Sequence, residues 1–215
     1  MERKKSKKSI ILFVLILVII AATIVLTIYR SGTRRAIKDI PDPVQKDTVG
    51  DTVLKIDDYN VLITHLCDYE IEALVVNTKD YIGFGIQDKL SNRDFGLAWG
   101  GVAEYNEMID FHWSQNGRFL YMKVDNQRDI DNVGGFSYIN THSSNNHIIP
   151  ANDETKLNMW LVRRGDHIRI KGYLVNVDAV KPNGSESYYW HSSTSRTDTG
   201  DGACEVIYAT EISWV

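Results

Sequence analysis

The sequence predicts a mainly β protein: a single N-terminal transmembrane helix followed by a β-barrel-like domain, OB-related or similar, with one or two short helices. Three observations predict it. Residues 10–29 form an apolar run without a charge. Residues 167–177 alternate between polar and apolar with the period of a strand, and the apolar phase changes at Gly172, as in the bent strands of small barrels. Residues 204–212 alternate in the same way after a polar loop.

The N-terminal residues predict a membrane anchor. Residues 1–9 form a basic head, and a 20-residue helix over 10–29 would match the roughly 30 Å hydrocarbon layer. A cleaved signal peptide, the main alternative, usually has an apolar region of about 7–15 residues that ends at a small-residue cleavage site. Because cations are denser before the run than after it, we expect the head in the cytoplasm and the C-terminal domain outside the cell membrane.

The rest of the chain reads as a linker and one extracytoplasmic domain, over residues 30–52 and 53–215. Residues 39–215 hold 15 of the 24 Lys and Arg residues and 27 of the 28 Asp and Glu residues, so their formal net charge is −12. An acidic domain repels phosphate backbones, and we therefore expect no nucleic-acid partner. The expected partners are the membrane, through residues 10–29, and an envelope protein or a small-molecule ligand.

Local sequence patterns predict the individual elements of this domain. A short helical turn is expected after Ser91, which can cap it, and a polar loop over 125–135. Asn152 or Asp153 can cap a helix whose Leu157, Trp160 and Leu161 fall on one face. The remaining elements follow along the chain: strands at 53–56, 59–67, 69–76, 111–113 and 118–124, a short helix at 103–109, and, after the helix capped near residue 152, strands at 167–177, 188–190 and 204–212.

Two sequence blocks carry a resemblance to a known family. The block HSSNNHIIPA covers residues 142–151, and the block RTDTGDGACE covers residues 196–205. Together with the stretches at 94–100, 114–118 and 165–175, they resemble a family of uncharacterised bacterial membrane-anchored proteins over about residues 69–212. The resemblance implies a shared fold; it implies no substrate and no catalytic role.

Cys204 is the candidate nucleophile. A thiolate could attack a peptide carbonyl, with His147 as general acid and Arg196 stabilising the oxyanion, which is sortase-like in outline. The chain lacks the sortase Thr-Leu-x-Thr-Cys block, and no arginine follows Cys204. Two further interpretations stay open. Cys204 shares strand parity with Val206 and would then be a buried thiol, or it forms a disulfide with Cys67.

The histidines and the second polar block are the candidate binding residues. His142 and His147 are five residues apart, which is not the spacing of a helical zinc pair, although a three-histidine site with His191 is a further alternative. Asp198 begins an Asp-Thr-Gly triplet, but aspartic-protease chemistry needs two such carboxylates. The sequence therefore predicts no metal and no cofactor. If a polar cleft forms, we expect it to be lined by His142, His147, His191, Arg196 and Asp198.

These observations favour a membrane-anchored extracytoplasmic binding or envelope-interaction module whose ligand the sequence does not identify. The alternative is a thiol-dependent peptidase or transpeptidase that uses Cys204 with a histidine and Arg196. Catalysis therefore stays open from sequence alone. The two polar stretches, 140–147 and 192–202, would have to meet in space for either function to use them together.

Overall fold

The computed structural model describes residues 2–32, 34–195 and 204–215. Its contacts divide the chain into two units, of which the first is the N-terminal helix α1 (Glu2–Gly32) and the second begins at Arg34. The segment Ser9–Leu26 of α1 is apolar, unburied and long enough to cross a membrane, and by the same criteria it also fits a signal sequence.

The second unit is built mainly from strands. Within the described residues its elements are, in chain order, β1 (Val44–Ile56), β2 (Tyr59–Asp80), α2 (Ile86–Leu90), β3 (Arg93–Ala98), α3 (Gly100–Tyr105), β4 (Ser114–Asn116), β5 (Phe119–Tyr121), α4 (Gln127–Val133), α5 (Phe136–Thr141), β6 (Ser143–Pro150), α6 (Asp153–Leu161), β7 (His167–Val180), β8 (Ser187–His191) and β9 (Glu205–Trp214).

Five of these strands form a ring of pairings. The order runs β2, β3, β6, β9, β7 and back to β2, while β1 extends the sheet beside β2 and β8 extends it beside β7. The pairing of β6 with β9 is parallel, and the other ring pairings are antiparallel. A five-stranded Greek-key ring is the architecture of OB-type barrels. The predicted mainly β, barrel-like fold is therefore confirmed.

The bend in β7 lies at Gly172, where the change in the alternation of polar and apolar residues predicts it. The β7–β9 register shifts between Lys171 and Gly172. A Cβ at Gly172 would lie 2.1 Å from the backbone oxygen of Tyr208, so only glycine allows β9 to approach this closely. The partner strand β2 has its own register shift, between His65 and Cys67, and runs unbroken through the two stretches that the sequence analysis treats as separate strands.

Other local expectations are wrong because tertiary packing overrides them. Residues 93–98 form strand β3 instead of a helical turn, and all six are buried, so neither face shows an alternating pattern. Residues 127–133 form helix α4 instead of a loop, with the Asn126 side chain accepting a hydrogen bond from Arg128 N at 2.9 Å. In α6 the buried residues are Thr155 and Met159, whereas Leu157 is exposed.

The segment 30–52, interpreted above as a linker, contributes to the folded unit. β1 begins at Val44, and Ile40 is buried in the larger hydrophobic cluster. Hydrogen bonds also tie the segment down, from Asn106 Nδ2 to Arg35 O at 3.0 Å and from Trp99 Nε1 to Asp42 Oδ1 at 3.1 Å. These contacts are long-range in sequence, so the proline and glycine content of the segment does not reveal them.

Candidate functional site

A cluster of polar and aromatic side chains links four elements of the domain. We call the group formed by Asp94, Arg118, Asn145, His147 and Trp190 the histidine site. Asp94 and His147 lie directly opposite each other in the pairing of β3 with β6. Arg118 comes from the turn between β4 and β5, and Trp190 comes from β8, where its ring centroid lies 4.5 Å from that of His147.

The Asp94 carboxylate is the centre of the cluster. Its Oδ2 lies 2.9 Å from His147 Nδ1 and accepts a hydrogen bond from Asn145 Nδ2 at 3.2 Å. Its Oδ1 accepts from Arg118 Nη1 at 3.1 Å. The carboxylate is fully buried, and buried charges are tolerated only when they are paired and hydrogen-bonded in this way.

Arg118 reaches the cluster from a strained backbone position. It follows Gly117 in a two-residue turn between Asn116 and Phe119, and both turn residues have positive φ, 55° and 68°. Turns of this type favour Asn and Gly, so an arginine here carries strain on the order of 1 kcal/mol. Its Nη2 donates to Asp88 Oδ1 at 2.5 Å and to Ser91 O at 2.9 Å. Strain at a partly buried ion pair indicates a functional constraint on this position.

Gly96 makes room for the hairpin that carries Arg118. It pairs with Asn145 in the β3–β6 register, and a Cβ at Gly96 would lie 2.7 Å from Leu120 Cδ1. Without that Cβ, the β4–β5 hairpin packs directly on the sheet. The hairpin then places Gln115 Nε2 2.5 Å from Asn145 Oδ1.

Aromatic rings cover the charged groups. The Arg118 guanidinium carbon lies 3.9 Å from the Tyr81 ring centroid and 5.1 Å from that of Trp190. Burial, followed by the negative charge of Asp94, raises the pKa of Tyr81, so its phenol stays protonated well above neutral pH. Burial likewise raises the pKa of Tyr188. The aromatic wall is therefore uncharged at neutral pH.

Cys204 lies at the edge of the histidine site. Its Sγ donates to Arg118 O at 3.7 Å, and the same carbonyl accepts from Asn145 Nδ2 at 2.8 Å. Cys67 and Cys204, the two cysteines of the chain, are not joined by a disulfide, so that alternative is wrong. A nucleophilic role would require Cys204 to leave its hydrogen bond and ionise.

Of the predicted binding residues, the structure places only His147 in this cluster. His142 stacks on Tyr138, with ring centroids 3.7 Å apart, and His191 is exposed at the end of β8. The nearest carboxylates to them are Asp42 for His142 and Asp178 for His191, and the described residues contain no group of three or more His, Cys, Asp or Glu side chains that could hold a metal ion. The predicted site residues Arg196 and Asp198 lie outside the described residues.

Within the part of the chain that is described, the two polar stretches lie on opposite sides of the start of β9. Asn146 pairs with Glu205 across the parallel β6–β9 contact. On the other side, Val206 N donates to Ser192 Oγ at 3.0 Å, and Ser193 N donates to Cys204 O at 3.1 Å. The start of β9 therefore lies between the stretch that contains His147 and the one that begins at Ser192.

The sequence analysis missed most of the histidine site. Asp94, Arg118 and Asn145 carry its hydrogen bonds, yet none matches a catalytic or metal-binding spacing. One signal was present in the sequence: Asp94 stands beside the apolar stretch Phe95–Trp99, and a charge there needs a partner. The Asn116-Gly117 pair predicts the hairpin turn itself, but not the residues against which the hairpin packs.

Comparisons of the chain with protein-family models, curated proteins and solved structures find no match. The function of the histidine site therefore has to be argued from its own geometry.

Proposed function

We propose that this protein is a membrane-anchored, extracytoplasmic binding or envelope-interaction module that holds its ligand at the histidine site. Helix α1 supports the anchoring because its apolar segment is long enough to cross a bilayer. The cations that precede this segment support an outside location for the domain. The acidic domain and its buried polar cluster fit recognition of a small polar group better than binding to a nucleic acid.

One observation carries the proposal. His147 is 3% exposed, and Asp94 holds its Nδ1, but its Nε2 makes no hydrogen bond to any residue that the structure describes. A ligand can therefore hydrogen-bond to Nε2 without displacing another side chain, and the Asp94 contact fixes the ring in advance for it.

Thermal unfolding of the full chain in detergent tests the proposal. The protein is mixed in turn with amines, neutral sugars, carboxylates, phosphates and dipeptides, since a ligand at 100 times its Kd stabilises by about 2.7 kcal/mol. His147→Asn retains an amide that can donate to Asp94 but removes Nε2. His191→Asn is the matched control, because His191 is an exposed histidine outside the site.

We expect at least one ligand class to raise the Tm of the wild-type and His191→Asn proteins but not of His147→Asn. The proposal is wrong if no class raises the Tm, or if His147→Asn responds as the wild type does.

A second candidate function, a thiol-dependent peptidase or transpeptidase, has one observation in its favour. An oriented Asp94–His147 pair beside Cys204 has the base and orienting groups of a nucleophilic site. The Cys204 thiolate would attack a peptide carbonyl, His147 would protonate the departing amine, and water or a second amine would release the acyl group. Loss of peptide turnover in Cys204→Ser, with ligand binding retained, would support this candidate over simple binding.

A further inference from the structure

We propose that the histidine site recognises a ligand through a positively charged hydrogen-bond donor, an ammonium group. This inference rests on the proposed binding function and names the chemical class of the group that is bound. It follows from the direction of each hydrogen bond in the cluster, since every bond fixes what the next group can still offer to a ligand.

The first step is the tautomer of His147. A carboxylate can only accept hydrogen bonds, so the imidazole must donate to Asp94 through Nδ1–H. In the neutral ring the other nitrogen then carries a lone pair. While the ring is neutral, His147 Nε2 is therefore an acceptor, and no described residue hydrogen-bonds to it.

The second step is the orientation of two amides. Asn145 Nδ2 lies within hydrogen-bond distance of two pure acceptors, Asp94 Oδ2 and the carbonyl of Arg118, so the nitrogen must face them. Its oxygen therefore faces Gln115, which has to donate through Nε2. This leaves Gln115 Oε1 as a second acceptor, buried and without a hydrogen bond from the residues that are described. The Gln115 side chain is only 8% exposed.

The third step concerns the donors and the charge. The Arg118 guanidinium is already held by Asp94, Asp88 and the carbonyl of Ser91, so little of it is left for an anionic ligand. When His147 is neutral, the two negative charges of Asp88 and Asp94 exceed the single positive charge of Arg118. The site therefore offers two acceptors and a net negative charge, inside a domain that is itself acidic. The negative charge would repel a carboxylate or a phosphate. An ammonium group would be attracted by that charge and could donate hydrogen bonds to the two acceptors.

The experiment compares amines with their acetylated counterparts, which keep the same framework but lose the charge. The probes are glucosamine and alanyl-alanine amide, each beside its N-acetyl form, with sodium acetate and inorganic phosphate as anions. The full chain is prepared in detergent with ¹⁵N-labelled histidine, and the resonance of His147 Nε2 is followed at concentrations up to about 10 mM, the range of weak small-ligand affinities.

We expect both free amines to shift this resonance to saturation and the N-acetyl forms to leave it unchanged. The amine with the lower Kd shows whether the site prefers an amino sugar or the amino group of a peptide. Gln115→Met should weaken amine binding by about 2–10-fold, the effect of losing one hydrogen bond.

Two results would overturn the inference while leaving the binding function intact. In one, the N-acetyl forms bind as well as the amines; in the other, acetate or phosphate binds at the site instead. If no probe shifts the resonance and no ligand class raises the Tm through His147, the inference and the proposed function both fail.

Discussion

Asp94 determines the polarity of the histidine site at the scale of single residues. It accepts hydrogen bonds from His147, Asn145 and Arg118, and these bonds fix the direction in which the other polar atoms of the three side chains point. Its removal should therefore affect stability more than the loss of one hydrogen bond would. His142 and His191, which the sequence singles out equally, lie near the more exposed carboxylates of Asp42 and Asp178 instead.

Asp94→Asn is expected to destabilise the domain by about 3 kcal/mol, because it breaks a buried ion pair and introduces an amide donor that faces other donors. Urea unfolding of the full chain in detergent measures the change. The control is Asp125→Asn, which affects an exposed pair with Lys123 and should change the stability much less. Equal effects for the two variants would show that the Asp94 network contributes little to stability.

At the scale of elements, two glycines determine which strands can approach each other. Gly96 lets the β4–β5 hairpin pack on the sheet, and Gly172 lets β9 cross the bend of β7. The hairpin then brings Gln115 and Arg118 to the site, while β9 brings Cys204. The site is therefore a consequence of two close backbone approaches that larger residues would prevent.

Gly172→Ala should destabilise the domain by at least about 3 kcal/mol, since its Cβ would collide with the backbone oxygen of Tyr208, which has little room to move. Gly50→Ala in β1 is the matched control, because its Cβ would meet only the His65 side chain, at 3.1 Å, which would have to shift by only a few tenths of an ångström. Thermal unfolding of the two variants in parallel is the measurement. A control that loses as much stability as Gly172→Ala would contradict this account of the bend.

At the scale of the whole molecule, the chain combines a long apolar helix with a domain that has its own hydrophobic core. Helix α1 and the unit that begins at Arg34 have separate sets of contacts. Removing the helix should therefore change where the protein is found more than how the domain folds. We expect the domain outside the membrane, because cations are denser before the apolar segment than after it.

A reporter that is active only outside the cytoplasm, fused after Val215, should be active in cells. Replacing Arg3, Lys4, Lys5, Lys7 and Lys8 with glutamine should reduce that activity, because it removes the charge asymmetry from which we expect a cytoplasmic head. The assay is reporter activity normalised to the amount of membrane-bound fusion protein. An inactive wild-type fusion that is present in the membrane would place the domain on the cytoplasmic side instead.

Much of the fold could be predicted because its signals are local. The apolar run, the alternation in residues 167–177 and the phase change at Gly172 all depend on neighbours in the sequence. Strand β3 was missed since both of its faces are buried, which removes the alternation. Helix α6 was predicted, but its apolar side chains Leu157 and Leu161 are exposed, because the domain packs against Thr155 and Met159 instead.

The sequence by itself determined the apolar helix, the strand-rich domain and the glycine bend, because spacing along the chain specifies each of them. Only the tertiary structure decided which histidine is buried against a fully buried carboxylate. Asp94 and His147 are far apart in the chain and meet through strand pairing, and Arg118 joins them through a hairpin that packs over Gly96. Such contacts depend on register and on close packing between distant segments, and neither leaves a periodic pattern in the sequence.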